Sequence, residues 1–146
     1  MDLSSDLHEL KRSIVRTILI RRITLGIFTG VAVVVVSFSS ISFLNPLPYA
    51  PLAWFLLTFP FKVIIERQST LRSLNWVHSA FFAAEIVVIT VLVHLMGGSE
   101  WIGSIFYLFT VVYANFFLPR LHGGLITGFV VAAYAGLVML EYAGVI

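Results

Sequence analysis

The stretch Leu74–Met96, LNWVHSAFFAAEIVVITVLVHLM, decides the fold. Apart from Asn75, His78, His94 and Glu85 it is almost wholly apolar, and Gly97-Gly98-Ser99-Glu100-Trp101 closes it. As a helix rising 1.5 Å per residue it would run about 34 Å, enough to cross the hydrocarbon core of a bilayer. Glu85 stands at its midpoint. A carboxyl there is costly in lipid, so it should face other helices and have a partner or a task.

The composition agrees. Of 146 residues, 60% are hydrophobic and 11% charged, and mean hydropathy is +1.02. A soluble domain of this size does not need so much apolar surface. Several apolar runs reach spanning length, which predicts an integral membrane protein. With no cysteine in the chain, disulfides, thiolate metal sites, Fe–S clusters and cysteine nucleophiles are excluded. The net charge of +2 does not indicate nucleic acid, because the basic residues mark one membrane face.

Outward from the central stretch, the predicted architecture is an all-α polytopic bundle with five spans, at about 23–44, 49–65, 74–96, 101–118 and 124–142, behind an amphipathic N-terminal helix over 1–22. In that helix Leu3, Leu7, Leu10, Ile14 and Ile18 recur at helical spacing, flanked by Lys11, Arg12, Arg16, Arg21 and Arg22. It can lie on the anionic inner leaflet or continue the first span below the membrane. That span starts near Ile23 and lacks a small-residue cleavage site, so it reads as an uncleaved signal anchor. Gly26 and Gly30 form one G-x-x-x-G pair. Pro46, Pro48 and Pro51 end the first span, Pro60 should kink the second, and Lys62 can snorkel. Pro119–Gly123 is expected to be a tight turn. In the fifth span Gly124, Gly128, Ala132 and Gly136 lie four apart, a small-residue ladder expected to form a close helix–helix face.

Charge sets an expected topology. With the N-terminus in the cytosol, all nine Lys and Arg fall on the inner face, while the outer connections carry only Glu100 and Glu141. Five spans leave Ile146 outside.

Glu85 leads the residues that can carry chemistry. His78, seven residues earlier, shares its helix face; Thr90 lies about 140° away. Ser104, Tyr107, Tyr113 and Asn115 on the next span are candidate partners. A structural carboxyl fixing helix packing and a sensing or proton-linked carboxyl both fit. His78 and His94 sit about 160° and about 24 Å apart on one helix, so one haem cannot take both. They read as interfacial polar residues. His8-Glu9-Leu10-Lys11 has a chance likeness to a phosphoacceptor box, with Ser13 where a proline would be needed. There is no phosphate loop, G-x-S-x-G or H-E-x-x-H. Gly97-Gly98 is an outer turn. No catalytic, cofactor or metal residue is predicted.

The segment Glu85–Gly98, with Thr90 five residues after the acid, His94 four later and then Gly97-Gly98, resembles the N-terminal membrane region of bacterial sensor histidine kinases. Tyr107 in an aromatic next span, the basic turn Pro119-Arg120, and a small-residue helix ending near Glu141 extend the likeness over residues 75–146. Residues 10–74 match only in hydropathy. The family more often has Asp for Glu85, Tyr for His94, and Ser-Pro after Gly-Gly. The resemblance implies a sixth span beyond Ile146, a cytosolic kinase core outside this chain that uses ATP for histidine phosphotransfer, a homodimer, a response regulator as partner, and residence in the bacterial inner membrane. The expected function is therefore signal input to a two-component system. The alternatives are a small transporter using Glu85 as a coupling carboxylate and a membrane scaffold.

Overall fold

The computed structural model describes residues 3–38, 49–100 and 102–145. Among these, every regular element is helical: α1 Leu3–Phe38, α2 Tyr49–Glu66, α3 Leu71–Leu95, two 3-10 turns at Gly98–Glu100 and Ile102–Ser104, α4 Ile105–Phe117 and α5 Arg120–Tyr142. Among the described residues four helices, α1, α2, α3 and α5, are long and apolar enough to cross a membrane. The end of the expected first span, the Asn45–Pro48 turn, Trp101 and Ile146 lie outside the described residues.

Several expected boundaries move. α1 passes without a break through residue 22, so of the two readings of the N-terminal segment it is the one that continues the expected first span. α4 has 13 residues, about 20 Å; the 3-10 turn at Ile102–Ser104 adds about 6 Å. The fourth apolar stretch is thus shorter as a helix than its run of 18 apolar-rich residues implied. At the other end of α4 the turn is tighter than expected. Leu118 precedes Pro119 and is extended (φ −103°, ψ 151°), because a following proline disfavours the helical region. α5 then starts at Arg120, so His122 and Gly123 are helical residues and not part of a loop. α3 also begins earlier than its apolar run. Thr70 caps it, its Oγ1 accepting the Ser73 N–H at 3.2 Å, as N-terminal threonines do.

The chain divides into two compact units, Met1–Val77 and His78–Ile146. In the first, α1 and α2 run antiparallel. Lys11 donates to the carbonyl oxygens of Glu66 (2.8 Å) and Gln68 (2.7 Å) at the end of α2. Arg22 donates to Thr58 Oγ1 at 3.0 Å and to the Thr58 carbonyl at 2.9 Å. Its guanidinium lies 4.1 Å from the centre of the Phe59 ring. Thr58 is fully buried, and α2 continues through Pro60. Ile14, Ile18 and Leu25, on the α1 face that these basic residues turn to α2, are buried.

The second unit is an up-down-up bundle of α3 from His78, α4 and α5. Thr90 meets Tyr107 and His78 meets Phe117, so α3 and α4 are antiparallel. Tyr107 meets Tyr134 and Asn115 meets Thr127, so α4 and α5 are antiparallel too. Ser79 meets His122 and His94 meets Glu141, which makes α3 and α5 parallel.

Candidate functional site

Glu85 is 1% exposed. It lies on a broad buried face of α3 with Phe81, Phe82, Ile86 and Ile89. An isolated charge in such surroundings is prohibitively expensive. The carboxyl is therefore stable only when protonated or matched by polar partners. His78 is also buried and sits two turns below on the same face, with its ring 4.8 Å from Phe82 and 6.4 Å from Phe117.

Above Glu85 the polar seam continues across to α4. The Thr90 hydroxyl donates to the Ile86 carbonyl at 2.7 Å and accepts from the Tyr107 hydroxyl at 2.8 Å. Tyr107 is buried, and its ring packs edge-on to Tyr134 of α5 at 5.5 Å. One hydrogen bond and one ring contact thus tie all three helices at this level. Asn115 donates to Thr127 Oγ1 at 2.9 Å, Ser104 donates to the Ser99 carbonyl at 3.2 Å, and Tyr113 stacks on Phe117 at 5.8 Å.

Each end of the unit carries a polar clasp. At one end Ser79 Oγ and His122 Nδ1 are 2.8 Å apart, both residues buried. This pair was hidden in the sequence because His122 reads there as a turn residue, 43 positions from its partner. At the other end Glu141 Oε2 accepts the Ser99 N–H at 3.0 Å, and Oε1 lies 3.9 Å from His94 Nδ1. Gly97 and Gly98 both have positive φ, 129° and 74°. Gly98 has a second reason to be glycine: a Cβ there would come 2.7 Å from the Glu141 Cδ. Gly-Gly is visible in the sequence as a turn, but its role as the seat of the Glu141 carboxylate is not.

The small-residue ladder does not pack inside the unit. Gly124, Gly128 and Ala132 are exposed and Gly136 is half-buried. No described atom lies within 4 Å of a Cβ added at Gly124, Gly128 or Gly136. The close approach of α4 and α5 is made instead by Gly123, where a Cβ would stand 2.8 Å from Asn115 Oδ1 and 3.3 Å from the Asn115 Cα. Among the described residues no three His, Asp or Glu side chains gather as metal ligands.

Comparison with protein-family profiles, with curated proteins and with solved structures finds no match to this chain.

Proposed function

We propose that the chain is a membrane-embedded signal-input region, with its N-terminus in the cytoplasm and five crossings of the bacterial inner membrane. In this reading α4, flanked by antiparallel α3 and α5, is the short return crossing. The observation that carries the proposal is the burial of Glu85, 1% exposed at the middle of a helix of spanning length. Intramembrane carboxyls are rare and mark functional positions by default. The Thr90–Tyr107 bond one and a half turns away offers a route by which a change at α3 reaches α4 and α5. On the outer side in this reading, the connection from Leu95 of α3 to Ile105 of α4 holds little beyond two 3-10 turns, too short for a ligand-binding domain, which favours stimuli within the bilayer or carried by a partner protein. The likeness of residues 75–146 to sensor histidine kinases supports a homodimeric histidine kinase core as the output, read in turn by a response regulator.

The test is phosphotransfer in membranes from cells expressing the native gene. Glu85→Gln should shift acid-labile histidine phosphorylation several-fold at equal protein level. Unchanged labelling with unchanged helix content would leave Glu85 a packing residue.

A second reading has an observation of its own. Buried His78, Ser79, Glu85, Thr110 and His122 are more intramembrane polar groups than one carboxyl alone, as a small proton-coupled transporter would carry. Proton flux into liposomes containing the purified chain, abolished by Glu85→Gln, would select that reading over signalling.

A further inference from the structure

One face of α1 can be followed along its length. His8, Arg12 and Arg16 are exposed at four-residue intervals. The same face continues as Leu19, Ile23, Ile27, Val31, Val34 and Phe38, all at least 54% exposed. The change from basic to apolar is abrupt, between Arg16 and Leu19. From Leu19 to Phe38 this face rises about 28 Å, the thickness of a hydrocarbon core; it starts one turn below the Ile23 boundary expected from the sequence, and Arg21 and Arg22 stand on other faces at its lower edge, Arg22 bonded to Thr58. Arg16 and Arg12 then fall about 4 and about 10 Å below that core, in or just beyond a headgroup layer several Å deep.

The stripe is held in place from behind. Lys11 is bonded to the last carbonyls of α2, and Arg22 is bonded to Thr58. These anchors are about 16 Å apart along α1, so the helix cannot roll the stripe away. Beside Arg12 an open cleft of about 640 Å³ is lined by His8, Glu9, Lys11, Arg12, Val15 and Glu66. Glu9 and Glu66 both line the cleft and oppose a multiply charged small anion there, Glu66 less so because Lys62 Nζ stands 3.6 Å from its carboxyl. A singly charged phosphodiester held from the lipid side by Arg12 and Arg16 avoids most of that repulsion.

We propose that Arg12 and Arg16 form a binding site for the phosphodiester headgroup of an anionic glycerophospholipid in the adjoining leaflet. The site rests on α1 spanning the bilayer and is independent of what the protein signals or carries.

Native mass spectrometry of the purified full chain in detergent, titrated with phosphatidylglycerol or phosphatidylcholine, tests it. Phosphatidylglycerol should be retained preferentially. Arg12→Gln/Arg16→Gln should lower its retention by about tenfold or more, from the usual contribution of each basic residue near an anionic headgroup. Arg12→Lys/Arg16→Lys should keep most of the retention, and raising NaCl from about 50 to about 500 mM should weaken it in the unaltered chain, because the Debye length falls about threefold. Millimolar inorganic phosphate should not compete; full competition would point to a free-anion site and overturn the lipid assignment. Equal retention of the two lipids, or salt-independent retention, would also overturn it while leaving the spanning helix intact. A chain that stayed monodisperse without detergent and retained neither lipid would instead remove the membrane reading itself.

Discussion

Glu85 and the few polar atoms around it set most of what can be tested at the scale of single residues. Its burial was foreseeable from its position in an apolar run, since lipid and protein interior both exclude an unmatched carboxylate. The direct bond between Thr90 and Tyr107 was not foreseeable, because a hydroxyl on a helix can equally turn back on its own carbonyls. Tyr107→Phe removes that bond and leaves the Thr90 hydroxyl its own bond to Ile86. It should cost about 1 kcal/mol in the unfolding free energy read from a denaturant titration in detergent. No loss would mean that the two hydroxyls do not bind in the folded protein. Gly98→Ala is a harsher change. It adds a side chain at φ 74° and displaces Glu141, so about 1–3 kcal/mol should be lost. Adding Glu141→Ala should recover the steric share and not the backbone share.

At the scale of elements, the apolar runs located α2, α3 and α5 closely, because each alternates with short polar or proline-marked connections. Their ends moved where chemistry other than hydropathy governs them. Thr70 caps α3 before its apolar run begins, and Pro119 both stops α4 through Leu118 and admits α5 at Arg120. The ladder of Gly124, Gly128, Ala132 and Gly136 shows the limit of a spacing argument. Spacing places four small residues on one side of a helix but does not say whether another helix lies there. Gly123, adjacent to the ladder, is the residue that Asn115 crowds. Gly123→Leu should therefore destabilise by about 1–3 kcal/mol through overpacking, whereas Gly128→Leu should change the detergent melt of the isolated chain by no more than about 0.5 kcal/mol. The reverse order would restore the ladder as an internal packing face. In the α1–α2 hairpin, Thr58→Val deletes a buried acceptor for Arg22 and should cost about 1–3 kcal/mol, with the melt again as the readout.

At the scale of the whole molecule, composition and the apolar runs gave the class: helical, with four helices among the described residues long and apolar enough to cross a membrane. In the proposed five-crossing topology α4 is the sensitive point, because it is short and would need its 3-10 lead-in to traverse a bilayer. The chain has no cysteine, so single cysteines can be introduced at Ser13, Gln68, Ser99, Arg120 and Gly144 without background. A membrane-impermeant maleimide applied to right-side-out and inside-out vesicles then reports each position's side. The account predicts Ser13, Gln68 and Arg120 labelled from the cytoplasmic side, and Ser99 and Gly144 labelled from the other. Gly144 labelled from the same side as Ser13 would contradict it.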